Sequence, residues 1–331
     1  MPSVTSRIVG ALMALHAADS LGSTYEFQPH AEIPHPLPNT VLSGGGVFKW
    51  KPGAATDDTD LTRAILLAYH GLLTGKTFKH GYSVIKASAE HMLAWYVGDW
   101  PGRKPGSPPV DVGGATQDSL ERYKKHRDMN SSGDGKGSAG NGSLMRCLPT
   151  GLFQRDKRLL ISESKRISAI THDDDKCKIS CAAYNMIVRA LVLGESPQEA
   201  VRQGEKVAIE LEKGQTGPVY SALRLGWEIS LPKLAKLGPE GTFPGGCSGY
   251  VLETLTLAIA AVLDKRGMEA IISDIVCVGK DTDTNAAVAG GLLGARDGEE
   301  AVPRHWRDTI QYGKEFRHLA HEMLKAQKWD K

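Results

Sequence analysis

The chain has 331 residues, with 40 lysines and arginines against 38 aspartates and glutamates, a formal net charge of +2 and a hydrophobic fraction of 41%. This excludes a disordered chain, which has too little apolar surface to bury, and a protein that binds nucleic acid by bulk charge, which needs a clear basic excess. No apolar run approaches the ~18 residues of a membrane span, and the first ten residues carry no apolar core of a secretory signal.

The pattern along the chain is helical. Ile8, Leu12 and Leu15 keep the i, i+4, i+7 spacing of one helix face, and Gly22 ends the run. Gln28 to Pro52 holds five of the 17 prolines and the triplet Gly44-Gly45-Gly46, and reads as a long surface loop. Thr56-Asp57-Asp58-Thr59-Asp60 precedes a second amphipathic run, Leu61, Ile65, Ala68 and Leu72. A helix is expected over 82–97, and Asp99 to Gly114 reads as a second loop, with Asp111 leading its Gly-Gly turn. Asn130 to Gly142 has the composition of a flexible linker and runs into Ser138-Ala139-Gly140-Asn141-Gly142-Ser143-Leu144-Met145-Arg146. Thr171-His172-Asp173-Asp174-Asp175 opens a further helical run at 176–193. Helices are expected at 199–212, 218–230, 249–264, 284–295 and 304–327, and Ile271 to Val278 is the best strand candidate, although it fits a buried helix end as well. The helical pattern resumes beyond each loop, which favours one helical domain, residues 1–331, with loops converging on a site. The five cysteines form no C-x-x-C pair and read as reduced core thiols of a cytoplasmic protein, with the nucleus as the alternative.

Two clusters carry the strongest chemical signal. Thr56 to Asp60 and Asp281-Thr282-Asp283-Thr284 each pack hydroxyl and carboxylate oxygens into one turn at a helix start. Capping needs one such side chain, not two or three. Neighbouring carboxylates repel, and a hard cation held by oxygen ligands, Mg²⁺ or Mn²⁺, relieves that repulsion. Two clusters more than two hundred residues apart fit a two-metal site shared by two helix N-termini, with capping as the competing reading. The glycine-rich turn at Gly140–Ser143 is suited to phosphate through its backbone N–H groups, although it lacks the residues of a P-loop. His172 is a donor candidate for a ligand hydroxyl or phosphate.

Taken in order, these segments resemble the ADP-ribosylglycohydrolase family. The resemblance runs through Arg7-Ile8-Val9-Gly10-Ala11-Leu12, Ala18-Asp19-Ser20-Leu21-Gly22, Glu26-Phe27, Thr56-Asp57-Asp58-Thr59 and Asp111-Val112-Gly113. It continues through Gly140 to Arg146, Thr171-His172, Gly249-Tyr250-Val251-Leu252-Glu253-Thr254-Leu255 and Asp281-Thr282-Asp283-Thr284. It implies an all-α, compact orthogonal helical bundle with a binuclear metal cleft. By match of motif, Thr56, Asp57, Asp58, Asp281, Asp283 and Thr284 would hold two Mg²⁺ or Mn²⁺ ions. Glu26 and Asp111 would be the acid/base carboxylates. Gly113, Ser138, Gly140, Asn141, Gly142, Ser143, His172 and Tyr250 would bind the substrate, Tyr250 by stacking on adenine.

The implied reaction cleaves the bond at the anomeric carbon of the distal ribose and releases ADP-ribose. The first expected substrate is ADP-ribosylarginine on a protein. The alternatives are a small derivative, ADP-ribose 1″-phosphate or O-acetyl-ADP-ribose, and a non-catalytic ADP-ribose-binding relative. A monomer is expected. The sequence departs from the family pattern at Ala17-Ala18-Asp19-Ser20, where a glycine is usual, and at Ala139, where serine-specific relatives carry an aromatic near the glycine turn. The Gln28–Lys51 loop matches no family motif and is a candidate wall for the leaving group. Its His30 and His35 read as surface residues, and Glu32 or Asp99 is a candidate acidic partner for a guanidinium.

Overall fold

The computed structural model describes residues 1–75 and 83–328. Its α-helices are α1 (Val4–Gly22), α2 (Asp57–Thr74), α3 (Val84–Tyr96), α4 (Gly114–His126), α5 (Leu148–Phe153), α6 (Lys157–Ser168), α7 (Asp175–Val192) and α8 (Pro197–Leu211). They continue with α9 (Pro218–Gly226), α10 (Leu231–Leu237), α11 (Val251–Leu263), α12 (Met268–Cys277), α13 (Thr282–Asp297), α14 (Arg304–Arg307) and α15 (Gly313–Gln327). Among the described residues there is no β-strand, only three isolated bridges. The architecture is all-α, and none of the helices is long and apolar enough to cross a membrane.

The centre of the bundle is the pair α1 and α13. Every residue from Ser6 to Gly22 and from Thr282 to Ala295 is buried, the signature of helices wrapped on all sides. Their close approach rests on glycines. A Cβ on Gly294 would strike the Gly10 carbonyl, and one on Gly290 would meet the Ala14 carbonyl at 2.5 Å. A Cβ on Gly22 would collide with the Asp283 Cα and the Thr282 carbonyl. The last turn of α1 and the first turn of α13 therefore lie against each other, which brings Asp19 next to Asp283. Gly22→Ala is expected to cost about 1–3 kcal/mol of stability through overpacking and to displace Asp283. A melting curve unchanged from wild type would contradict this packing.

The sequence-derived elements differ from the structure at named places. Ile271 to Val278 is not a strand but the body of α12, with Ile271, Ile272, Ile275 and Val276 buried on one helical face. The expected 304–327 helix is two, α14 and α15, separated by the turn before Gly313. Residue 82, at the start of the expected 82–97 helix, lies outside the described residues. The linker-like segment 130–142 is ordered: the Asp134 N–H donates to the Thr171 carbonyl at 3.0 Å, and the Gly137 N–H donates to Asp174 Oδ2 at 2.8 Å. Gly133 is needed there because a Cβ would strike the Ala169 carbonyl. The five cysteines are free and buried.

Candidate metal centre and cleft

The acidic first turn of α2 is held in place from α1. Thr56 is the N-cap, and its hydroxyl accepts from the Asp58 N–H at 3.2 Å. The same hydroxyl donates to Asp19 Oδ1 at 2.8 Å, and the Thr56 N–H donates to Asp19 Oδ2 at 3.2 Å. Thr59 also donates to Asp19. Asp60 turns away from the other acids and accepts from Trp95 Nε1, Trp100 Nε1 and the Tyr312 hydroxyl at 2.8–3.0 Å. It is therefore a structural carboxylate and not part of the cluster.

The acids at the start of α13 are fixed by two neighbouring loops. The Phe27 N–H donates to the Lys280 carbonyl at 2.8 Å and the Lys280 N–H to the Gln28 carbonyl at 2.7 Å, which sets Glu26 beside Asp281. Phe27 and Lys280 both have left-handed backbone, at φ 65° and 64°. Glu253 accepts from the Gly245 and Cys247 N–H groups at 2.6 and 2.8 Å, and the Cys247 carbonyl accepts from Asn285 Nδ2 at 3.1 Å. Thr254 donates to Asn285 Oδ1 at 2.7 Å and accepts from Asn141 Nδ2, which also donates to Asp281 Oδ2 at 2.7 Å. Glu253 and Thr254 are thus positioning residues for the Asp281 loop.

Two groups of three carboxylates bring oxygens within 4.8 Å of one another: Asp19, Asp58 and Asp283, and Glu26, Asp111 and Asp283. Asp283 belongs to both. Asp19, Asp58 and Asp283 are 0%, 1% and 2% exposed. Burial, and then the neighbouring carboxylates, hold Asp57, Asp58 and Asp283 far above the usual carboxylate range. Burial also pushes Glu26 up to about 9 and Asp111 up to about 6, with other carboxylates adding to both. Asp19 rises to about 7 by burial, against the hydrogen bonds from Thr59 and Thr56. Asp58 Oδ1 and Glu26 Oε2 are buried without a hydrogen-bond partner. Orphaned oxygens in an all-oxygen donor set fit a hard divalent cation.

The cleft above these acids has a volume of about 580 Å³. It is lined by the acids Glu26, Asp57, Asp111, Asp281 and Asp283 with Thr284, and by Gly113, Gly140, Asn141, Gly142 and His172. The glycine turn is tight at Gly142, where a Cβ would meet His172 Cε1 at 2.9 Å. The fully buried Arg146 ties the turn to its neighbour, donating to the Gly142 carbonyl and, at 2.5 Å, to Thr171 Oγ1. Thr171 Oγ1 lies 2.7 Å from His172 Nδ1. Burial and then Arg146 lower the His172 pKa to about 3, so the ring that faces the turn is neutral.

Several candidates sit differently from their motif reading. Asn141 spends its backbone N–H on the Gly249 carbonyl at 2.9 Å, so that N–H is not free for a phosphate. Ser143 is 1% exposed and accepts from Ser168 Oγ at 2.9 Å, beneath the turn and not on the cleft wall. Ser138 hydrogen-bonds Asp134 at 3.5 Å, also off the cleft wall. Tyr250 is 36% exposed and lines a separate apolar recess of about 480 Å³ with Phe243 and Leu225. Thr56 opens onto another recess described below, while Thr284 Oγ1 donates to Asp58 Oδ2 at 3.2 Å. Glu32 and Asp99 line neither the cleft nor that recess, so neither is placed to meet a guanidinium. His30 and His35 stack at 4.1 Å, with His30 Nδ1 on the Cys277 carbonyl, a structural pair. Asp19 is the one member of the carboxylate groups absent from the sequence-derived candidates. It is the only carboxylate in α1, and its signal in the sequence is its place in the Ala18-Asp19-Ser20-Leu21-Gly22 segment of the family resemblance.

The raised carboxylates fix a pH dependence. The folded chain binds protons that the unfolded chain releases near pH 4, so stability without a cation falls as pH rises through the native values of about 6, 7 and 9. A divalent cation replaces those protons. Mg²⁺ is expected to raise the melting temperature more at pH 8 than at pH 5.5; an equal shift at both would contradict cation binding by this cluster.

The sequence model of the family described as ADP-ribosylglycohydrolase matches residues 1–331. The chain is 27% identical over 319 residues to the ADP-ribosylarginine hydrolase Tri1 of Serratia proteamaculans, covering 95% of this chain and 78% of that protein. It is 26% identical over 316 residues to the ADP-ribosyl-[dinitrogen reductase] glycohydrolase of Rhodospirillum rubrum, covering 93% and 92%. A solved structure described as an ADP-ribosylglycohydrolase-related protein complex superposes with a TM-score of 0.76 at 24% identity, covering 98% of this chain and 99% of that one, a likeness of fold.

Proposed function

The chain belongs to the ADP-ribosylglycohydrolase family, and on that premise we propose that it hydrolyses ADP-ribosylarginine in a divalent-cation-dependent reaction that releases ADP-ribose. The observation that carries this reading is the pair of carboxylate groups sharing Asp283 at the floor of a cleft walled by the glycine turn. Two relatives whose names specify arginine or dinitrogen reductase as the modified target support the linkage.

In this reading Asp19, Asp58 and Asp283 hold one Mg²⁺ or Mn²⁺, and Glu26, Asp111 and Asp283 border the second, with Asp57 and Asp281 beside them. When bound, such ions supply orientation of the ribose hydroxyls and a lowered pKa for water. The chain's own residues do the rest. Gly140, Gly142 and Gly113 let the diphosphate and ribose approach the backbone, and neutral His172 packs behind the turn without adding charge. The cleft wall holds the anomeric carbon against the carboxylates, which supplies proximity. Bond cleavage builds positive charge on the ribose, next to a wall of acids. Water adds its hydroxyl to the anomeric carbon, and its proton is taken by Glu26 or Asp111. The leaving guanidino nitrogen recovers a proton, so the products are ADP-ribose and free arginine.

The test is ADP-ribose release from an ADP-ribosylarginine peptide, an ADP-ribosylserine peptide and ADP-ribose 1″-phosphate, each with Mg²⁺, Mn²⁺ or EDTA. Cation-dependent release from the arginine peptide is expected. Release from the phosphate alone would replace this reading with hydrolysis of a small metabolite.

A further inference from the structure

A second recess, of about 560 Å³, lies on the far side of the carboxylate wall from the cleft. Asp57 and Asp111 line both. If ADP-ribose occupies the glycine-turn side, whatever is attached at the anomeric carbon leaves towards this recess. Beside these carboxylates an aromatic row runs from the cleft into the recess. Phe27 beside the cleft contacts Phe48 edge-on at 6.0 Å, and Phe48 contacts Trp50 at 5.9 Å, with Phe48 and Trp50 inside the recess.

The recess wall is rigidly built. Gly45 and Trp50 exchange both backbone hydrogen bonds at 2.8 Å, closing a tight turn that presents Phe48 and Lys49. Gly44, Gly45 and Gly46 all have positive φ, and Lys49 itself is left-handed at φ 56°. A Cβ on Gly44 or Gly46 would strike the Trp50 or Ser23 carbonyl, so this turn requires glycine.

The charge of the recess is divided. Its acids are Asp57, the cluster member Asp111 and the structural Asp60, whose oxygens are taken by two indoles and a phenol. Its other charged groups are Lys49, Lys51 and Arg103. Both lysines are exposed, and among the described residues no carboxylate lies within ion-pair distance of either. Arg103 is held over Trp95 by its hydrogen bonds to the Trp95 and Ser107 carbonyls. The Trp50 indole N–H is buried without an acceptor. Lys49, Lys51 and the Trp50 indole N–H are therefore donors without a partner, two of them cationic, beside the acids Asp57 and Asp111.

We propose that this recess docks the segment of the modified protein flanking the attachment point, and that it selects segments with aspartate or glutamate beside the modified residue. The proposal rests on the arginine-linked reading above and deepens it. The aromatic row takes the apolar stem of the modified side chain, and Lys49 and Lys51 meet the acidic neighbours. Exposed charge pairs of this kind act mainly on encounter and on KM, and they weaken with salt.

The test uses full-length wild type and the Lys49→Glu, Lys51→Glu double variant. Three ADP-ribosylarginine substrates are compared: a peptide with aspartate flanks, one with lysine flanks, and free ADP-ribosylarginine. For wild type at low salt, kcat/KM for the acidic peptide should exceed that for the basic peptide by about tenfold, through KM. The preference should shrink in about 0.5 M salt and reverse in the double variant. Equal kcat/KM for the two peptides, with free ADP-ribosylarginine hydrolysed normally, would overturn the docking proposal and leave the function standing. Binding of the unmodified acidic and basic peptides, followed by fluorescence anisotropy, is independent of turnover. Stronger binding of the acidic peptide with no arginine-linked turnover would overturn the linkage alone; equal binding would overturn the docking site. Hydrolysis of ADP-ribose 1″-phosphate that collapses in the double variant, without peptide discrimination, would assign the recess to a small anion and overturn the protein segment as occupant.

Discussion

Asp283→Asn is expected to lower turnover by at least about 1000-fold, beyond the 10–100-fold typical of an outer-sphere partner of a metal site. Asp283 is the residue common to both carboxylate groups, so its loss removes an oxygen from each at once. The asparagine keeps the hydrogen bond that Asp283 Oδ1 accepts from the Thr284 N–H at 2.9 Å, so the first turn of α13 should survive. Structural damage and loss of a ligand predict opposite changes in stability. The carboxylate is buried among Asp58, Glu26, Asp281 and Asp19, and removing its charge relieves repulsion. The cation-free variant should therefore melt at or above wild type, while the rise in melting temperature on adding Mg²⁺ should largely vanish. A variant that retains wild-type turnover would remove Asp283 from the site.

The second large effect concerns the proton. Glu26→Gln and Asp111→Asn, each assayed at saturating cation, are expected to reduce kcat by roughly 100- to 10,000-fold, the range for a positioned general acid or base. Both side chains face the cleft, Glu26 with an unpartnered buried oxygen and Asp111 at the junction of the two recesses. The amides preserve shape and remove the titrating group, so KM should move little. If neither variant loses about 100-fold, the acid/base assignments fall and the two carboxylates are left with a binding role only.

The parts of this arrangement that sequence could reveal are those where local chemistry is redundant. Three carboxylates at the start of α2 exceed what one cap requires, and the surplus signals another task. The structure divides them: Asp58 joins the cluster, Asp57 borders both recesses, and Asp60 is drawn off by Trp95, Trp100 and Tyr312. That division depends on Trp95 in α3, Trp100 in the loop after it and Tyr312 at the N-cap of α15, which spacing near Asp60 cannot anticipate. Asp19 is hidden for the converse reason. It stands alone in α1, and only the packing of Gly22 against Asp283 brings it to the other acids.

Secondary structure was legible where helices are long and amphipathic. α5 and α10 are too short to show a period, at 6 and 7 residues. α4 is so polar that only Thr116, Ser119, Leu120 and Tyr123 are buried. The β-branched run in α12 imitates a strand because it is short and nearly all apolar, and length alone did not arbitrate. The glycines of 130–142 read as flexibility, yet Gly133 and Gly142 serve close approach to Ala169 and His172. Composition cannot distinguish a glycine that permits motion from one that permits contact.

The proposed cation site is tested most directly by anomalous diffraction from crystals of the protein grown with Mn²⁺. Two peaks are expected, one among Asp19, Asp58 and Asp283 and one among Glu26, Asp111 and Asp283. Their absence at a Mn²⁺ concentration that supports ADP-ribose release would contradict the assignment of these carboxylates as the catalytic metal centre.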